Sequence, residues 1–194
     1  MALRTVVLVS GINNLSDARY CAGMGVDFLG FNIDSENDKY VSPELFKELK
    51  GWVSGVNIVT ESSNTSSNNN YMADSHLIKS LELLQECKSP TFLSLPLDVA
   101  VSNTSSLLSN ASKIKYLIVT DNTDGFNAYK LGQLKELGSN FEVLLGFGVK
   151  ADNVNELIEG NILKGIALQG SDEIRPGFKD YDELADILEA IEID

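Results

Sequence analysis

The chain has 194 residues, of which 43% are apolar, and this length fits one buried core better than two domains. Its 28 acidic residues outnumber 15 lysines and arginines and give a net charge of −13. That charge repels a phosphate backbone, so we expect no nucleic-acid partner. The sequence shows no signal-peptide cleavage pattern and no run approaching the roughly 18 apolar residues of a membrane span. We therefore expect a cytoplasmic protein without a membrane partner.

The recurring pattern is a short apolar run, a break rich in Gly, Asn, Asp or Ser, and a segment of helical period. This alternation is typical of βα units around a parallel sheet. The predicted strands are 5–10, 26–33, 55–60, 71–76, 91–97, 115–120, 142–145 and 164–168. The predicted helices are 15–24, a second one opening at Ser42-Pro43-Glu44, 80–87, 128–137, 153–158 and 181–191.

Eight strands favour closure over an open doubly wound sheet, for which five or six strands are enough. We therefore predict an α/β protein, a (β/α)₈ TIM barrel, with residues 1–194 forming a single domain. Residues 61–70, with the sequence ESSNTSSNNN, occupy the place of the third helix. Such residues hydrogen-bond their own backbone and favour turns. The third helix is therefore predicted to be short, irregular or absent.

A glycine-rich turn follows the seventh predicted strand. The run Gly146-Phe147-Gly148-Val149-Lys150-Ala151 fits the dinucleotide pattern G-x-G-x-x-A. Its position in the penultimate unit, with Gln169 and not an acid ending the next strand, speaks against a dinucleotide, and no cofactor is expected. Loops after strands seven and eight of such barrels commonly bind phosphate, which indicates a site at Gly146, Gly148, Gly170 and Ser171. The alternative is that these glycines only make tight turns.

Candidate chemistry is limited to polar residues at the C-terminal ends of predicted strands. His76 is the only histidine, and the chain has no hydrolase elbow, P-loop or zinc motif, so no metal site is expected. Barrel active sites lie at the strand ends. The residues there are Ser10, Asn32, Asp34, Asp121 and Gln169.

Several segments resemble the phosphoribosylanthranilate isomerase family. The run 8–18, LVSGINNLSDA, resembles the family's K-I-C-G-I-T-N-x-x-D-A, and 25–31, GVDFLGF, resembles G-A-D-x-x-G-F. The run 39–44, KYVSPE, resembles R-Y-V/I-S-P-E. Near the other end, 152–154 resembles E-N-V, and Glu173, Pro176-Gly177 and Lys179-Asp180 match E-x-x-P-G-x-K-D. The likeness covers 6–60 and 142–188 and is thin between them.

The resemblance implies an Amadori isomerase of tryptophan biosynthesis that acts on a phosphorylated sugar-type substrate without a cofactor. It places Ser10 where the family has its catalytic cysteine and Asp121 as the general acid, with Thr120 as the alternative at that position. Lys39 stands for the arginine near the substrate carboxylate. Gly146, Gly148, Gln169, Gly170 and Ser171 would contact the substrate, and His76 could correspond to the histidine of Q-L-H-G.

The departures from the family pattern fall around one predicted pocket. An alcohol at residue 10 is a far weaker proton acceptor than a thiol of pKa about 8.5. Leu8, Lys39, Phe147 and Ala167 also replace family residues. The sequence thus predicts a monomeric or homodimeric protein that binds a small phosphorylated ligand, with uncertain isomerase activity. The alternatives are a non-catalytic binding or interaction protein, and another isomerase or lyase that uses Asp34 or Asp121.

Overall fold

The computed structural model describes residues 2–64, 70–123, 125–160, 162–170, 173–175, 178–179 and 182–193. Eight parallel strands form a closed barrel in chain order, in which β8 pairs with β1. The barrel strands are β1 Val6–Ser10, β2 Phe28–Asn32, β3 Asn57–Ser62, β4 Ser75–Ile78, β5 Thr91–Pro96, β6 Ile114–Thr120, β7 Val143–Leu145 and β8 Gly165–Gln169. A two-stranded antiparallel sheet of β9 Glu173–Arg175 and β10 Phe178–Lys179 follows. This confirms the predicted (β/α)₈ barrel.

Seven α-helices surround the strands in the described part of the chain. They are α1 Leu15–Gly23, α2 Pro43–Trp52, α3 Leu97–Ser102, α4 Thr104–Ser109, α5 Ala128–Gly138, α6 Val154–Glu159 and α7 Asp182–Ala190. Asn14 caps α1 by accepting the N–H of Asp17 at 3.0 Å, and short polar side chains such as asparagine favour this position before a helix. None of these helices is long and apolar enough to cross a bilayer.

The third βα connection contains no α-helix among its described residues, 63–64 and 70–74. Tyr71 instead packs on α2, with its ring edge-on to Phe46 at 5.1 Å and its hydroxyl donating to the Val41 carbonyl at 2.9 Å. Tyr71 thus ties the described end of this connection to the outer core beside α2. The prediction for the third helix is confirmed.

Two further connections differ from their predictions. The helix predicted over 80–87 is a single 3₁₀ turn, Glu82–Gln85. The fifth connection, for which the sequence indicated no helix, contains α3 and α4. Buried Leu97, Ala100 and Leu107 anchor this pair to the outer core, so tertiary packing overrides a weak local pattern.

The lower part of the barrel interior is filled with large side chains. The rings of Phe28 and Phe92 meet edge to face at 5.0 Å, and Tyr116 lies 5.7 Å from Phe28. Leu8, Val59, Leu77, Ile118 and Leu144 pack in the same interior cluster. These residues close the N-terminal end of the barrel, so open space lies at the C-terminal ends of the strands.

Candidate ligand site at the barrel mouth

A cavity of about 320 Å³ opens at the C-terminal ends of the barrel strands. Its walls contain the apolar or small residues Leu77, Pro96, Ile118, Gly146 and Ala167. Its polar lining consists of Ser10, Glu61, Lys79, Ser94, Thr120 and Gln169. Side chains alternate between the two faces of a strand, so these residues extend the inward-facing rows begun deeper in the barrel.

Ser10 and Gln169 meet at the seam where the barrel closes. They are register partners of β1 and β8, and Gly170 donates its N–H to the Ser10 carbonyl at 2.7 Å. Ser10 is 5% exposed. The structure therefore places both predicted residues on the cavity wall.

Glu61 is a cavity residue that the sequence pattern did not predict. Strand β3 ends at Ser62, two residues beyond the predicted end, and alternation from inward-facing Val59 turns Glu61 into the mouth. Its Oε1 accepts the Gly11 N–H at 3.1 Å, and the residue is 5% exposed. Period-2 alternation identifies Glu61 only once Val59 is known to face inward, because Ile58 and Val59 are both apolar in the sequence.

Lys79 is the second missed residue, and its position changes the interpretation of His76. Strand β4 is Ser75–Ile78 and not 71–76, so Lys79, just after the strand end, lines the cavity. His76 lies on the opposite face, with its Nδ1 2.6 Å from Thr60 Oγ1. Burial lowers the His76 pKa. His76 therefore does not occupy the site position considered from the resemblance.

Thr120, and not Asp121, faces the cavity at the end of β6. Asp121 lies in a neighbouring groove, where its carboxylate pairs with Lys130 Nζ at 2.9 Å and accepts the Thr123 N–H at 2.9 Å. The hydrogen bond from Lys130, followed by that from the Thr123 amide, lowers the Asp121 pKa. The structure thus places Thr120 with Ser10 on the wall of one cavity and Asp121, which follows the end of β6, in the neighbouring groove.

Two glycine amides after β7 and β8 already make hydrogen bonds within the protein. Gly146 donates its N–H to Val119 O at 2.8 Å, and the Gly170 N–H is taken by Ser10. An N–H has one hydrogen, so a phosphate could bind either amide only by weakening these bonds. Gly148 adopts φ 64°, and its carbonyl accepts Asn153 Nδ2 at 2.8 Å. Ser171 lies outside the described residues.

Lys39 crosses the rim between the second and eighth units. Its Nζ donates to the Gly170 carbonyl at 3.3 Å, and its aliphatic part passes close over Gly11. The predicted substrate-binding Lys39 is thus at the mouth, near Gln169 and Gly170. No group of three or more His, Cys, Asp or Glu side chains among the described residues could hold a metal ion.

Asp34 has a structural role at the same rim. Its carboxylate accepts the Ser62 hydroxyl and the Ser63 N–H, both at 2.7 Å. Asn32 Oδ1 in turn accepts the Asp34 N–H at 3.0 Å. These contacts hold the end of β3, and with it the neighbouring Glu61, in register with β2.

The sequence matches no protein-family model and no curated protein. A phosphoribosylanthranilate isomerase structure from Thermotoga maritima is similar, with a TM-score of 0.73, 17% identity, and coverage of 96% of this chain and 98% of that chain. Another structure of that isomerase, in complex with reduced 1-(o-carboxyphenylamino)-1-deoxyribulose 5-phosphate, has a TM-score of 0.70 and 16% identity, and the match covers 96% of this chain and 98% of that chain. The structure of KGPDC from Streptococcus mutans has a TM-score of 0.66 and 17% identity, and the match covers 98% of this chain and 96% of that chain. Over nearly its whole length, the chain has the barrel fold of phosphoribosylanthranilate isomerase structures.

Proposed function

We propose that the barrel mouth binds a small phosphorylated sugar-type ligand. The observation that carries this proposal is the cavity of about 320 Å³ with polar groups on its wall. Small-molecule sites span about 300–1,000 Å³, so this cavity suits a ligand of sugar-phosphate size. The hydroxyls of Ser10, Ser94 and Thr120 are suitable partners for sugar hydroxyls.

Lys79 is the proposed partner of the phosphate. Among the described residues that line the cavity it is the one cationic side chain. The amides of Gly146 and Gly170 are already used within the barrel, which shifts the proposed anion contact from the glycine turns to Lys79. An isomerase with the same fold binds a deoxyribulose 5-phosphate derivative, which supports this class of ligand.

The parent Amadori isomerisation is not the reaction that this geometry favours. On the cavity wall, Ser10 stands where the resemblance puts the base and Thr120 where it puts the alternative to Asp121, while Asp121 pairs with Lys130 outside the cavity. Two hydroxyls cannot replace a thiolate base and a carboxylic acid near neutral pH. The hydroxyl groups at these two positions favour the second candidate function, a binding protein on the same barrel that does not catalyse the parent reaction.

Calorimetric titration with ribulose 5-phosphate and with unphosphorylated ribulose tests the proposed binding. We expect the phosphate ester to bind and Lys79→Met to weaken it about tenfold to a hundredfold, as for loss of a charge-assisted hydrogen bond. Lys47→Met removes an exposed lysine from α2 and is the matched control. Equal affinity for both sugars, or unchanged affinity in Lys79→Met, would contradict the proposal.

The loss of phosphoribosylanthranilate fluorescence tests the parent reaction. We expect no turnover by the natural protein or by Ser10→Cys, because restoring the base leaves Thr120 in the acid position. The double variant Ser10→Cys/Thr120→Asp should show the first measurable rate. Normal turnover by the natural protein would refute the loss of this reaction.

A further inference from the structure

The one carboxylate among the described residues of the cavity wall belongs to Glu61. It comes from β3, whereas the resemblance assigns acid–base groups to β1 and β6. The residue is 5% exposed, and Oε1 is fixed by the Gly11 N–H at 3.1 Å. A carboxylate has lone pairs on two oxygens, so one amide contact leaves acceptor capacity for a ligand.

Glu61 lies beside Ser10 because residue 30 has no side chain. A Cβ built on Gly30 would lie 3.1 Å from Ser10 Cα and would collide with Glu61 Oε1. The Glu61 carboxylate and the Ser10 backbone are therefore both next to the position that a Gly30 side chain would occupy. The glutamate thus brings an ionisable oxygen to the part of the mouth where the resemblance expects the base.

We propose that Glu61 is the acid–base residue of this cavity and that its substrates are phosphorylated sugars with a carbonyl group. The inference rests on the proposed ligand class. In the step, the C–H bond next to the carbonyl breaks and its proton moves to a Glu61 oxygen. The bonding pair forms the C=C bond of an enediolate, and the carbonyl oxygen takes the negative charge. Return of the proton to the same carbon restores the substrate. Its return to the former carbonyl carbon, with transfer of the neighbouring hydroxyl proton to the former carbonyl oxygen, gives the isomeric carbonyl compound. Either route regenerates the Glu61 carboxylate and needs no oxidant or reductant.

A purely structural role makes a different prediction for the same residue. Holding the Gly11 amide requires only an acceptor oxygen, and the side-chain amide of glutamine offers one with nearly the same shape. Burying a carboxylate for that purpose alone costs free energy that a neutral amide avoids. Glu61→Gln should therefore preserve the fold and the ligand contact but not proton transfer.

Proton NMR of ribulose 5-phosphate in D₂O measures the proposed step directly. We expect the natural protein to exchange the C1 or C3 protons, which flank the C2 carbonyl, for deuterium. In Glu61→Gln the rate should fall at least about a hundredfold, as for loss of a general base, while calorimetry shows binding within about threefold. Glu136→Gln, an exposed carboxylate on α5, is the matched control.

A rescue experiment separates chemistry from folding. In Glu61→Ala, added formate should restore part of the exchange in proportion to its concentration, an effect that a structural role does not produce. Bound ribulose 5-phosphate without exchange in the natural protein, or undiminished exchange in Glu61→Gln, would overturn the assignment of Glu61 and leave ligand binding standing. Absence of binding to the natural protein would overturn the proposed function and this assignment with it.

Discussion

The Glu61 carboxylate occupies the space that a side chain on Gly30 would need. The two residues are on adjacent strands, β2 and β3, which pair in parallel through Gly30 and Val59. An alanine could adopt the strand conformation of Gly30, but Glu61 and Ser10 leave no space for its methyl group. This relationship links one glycine to the position of the carboxylate in the cavity.

Gly30→Ala should displace Glu61 and destabilise the fold. Overpacking of a close contact typically costs about 1–3 kcal/mol, and the displaced carboxylate should lose its Gly11 contact. Urea denaturation measures the free energy of unfolding, and the D₂O exchange assay should show the same direction of change as Glu61→Gln.

The control for this substitution is Gly132→Ala, within α5, where an added Cβ meets nothing within 4 Å. This change should raise stability by about 0.5–1 kcal/mol, because alanine favours a helix. If Gly30→Ala were as well tolerated as Gly132→Ala, the packing of Glu61 over Gly30 would be refuted.

Asp121→Asn should leave ligand affinity unchanged, whereas Thr120→Val should weaken it. The reason is orientation, since Thr120 lines the cavity and Asp121 pairs with Lys130. Removal of a hydroxyl that contacts ligand costs about 0.5–1.5 kcal/mol, or about two- to tenfold in affinity. Calorimetry with ribulose 5-phosphate measures both. A larger loss in Asp121→Asn than in Thr120→Val would contradict the assigned register of β6.

Asp121 should also affect stability in acid. Its pKa is lowered by Lys130 and Thr123, so its contribution is present above the ordinary aspartate pKa of about 3.9. The contribution is lost as the pH falls through the lowered pKa. Urea denaturation between pH 2 and 6 should show Asp121→Asn less stable than the natural protein only at the upper end. A stability difference between Asp121→Asn and the natural protein that grows toward low pH would contradict this prediction.

His76 should titrate below the ordinary histidine value of about 6.5. Burial disfavours the charged ring and lowers its pKa. The unfolded chain therefore binds the proton first as the pH falls through 6.5, and the folded state loses stability until the folded pKa is passed. His76 is the only histidine, so its ring protons give one NMR titration curve. A titration midpoint of the His76 ring at or above 6.5 would contradict the burial that lowers its pKa.

Tyr71 should account for much of the packing at the third connection. Tyr71→Phe removes the hydrogen bond to Val41 and should cost about 0.5–1.5 kcal/mol, whereas Tyr71→Ala should cost about 3–5 kcal/mol by emptying the space against Phe46. Thermal and urea denaturation measure both. Tyr129→Phe, at a tyrosine that is 74% exposed, is the control. Equal stability of Tyr71→Ala and the natural protein would show that this ring is dispensable.

The sequence by itself determined the barrel and its irregular third unit. Apolar runs that alternate with segments of helical period favour βα units, and the turn-forming residue types of 61–70 disfavour a helix in the third unit. The placement of Ser10 and Gln169 at strand ends also follows from the local pattern. These features depend on residues that are close together in the sequence, so the sequence alone is enough to predict them.

Only the tertiary structure decided which strand-end residues share the cavity. A shift of one residue turns Thr120 inward and Asp121 outward, and the ends of β3 and β4 bring Glu61 and Lys79 into the mouth while His76 faces away. Strand ends are fixed by pairing with neighbouring strands and by contacts such as Gly30 with Glu61, which join residues far apart in the chain. Hydrophobic periodicity specifies the two faces of a strand but not where its last pair forms.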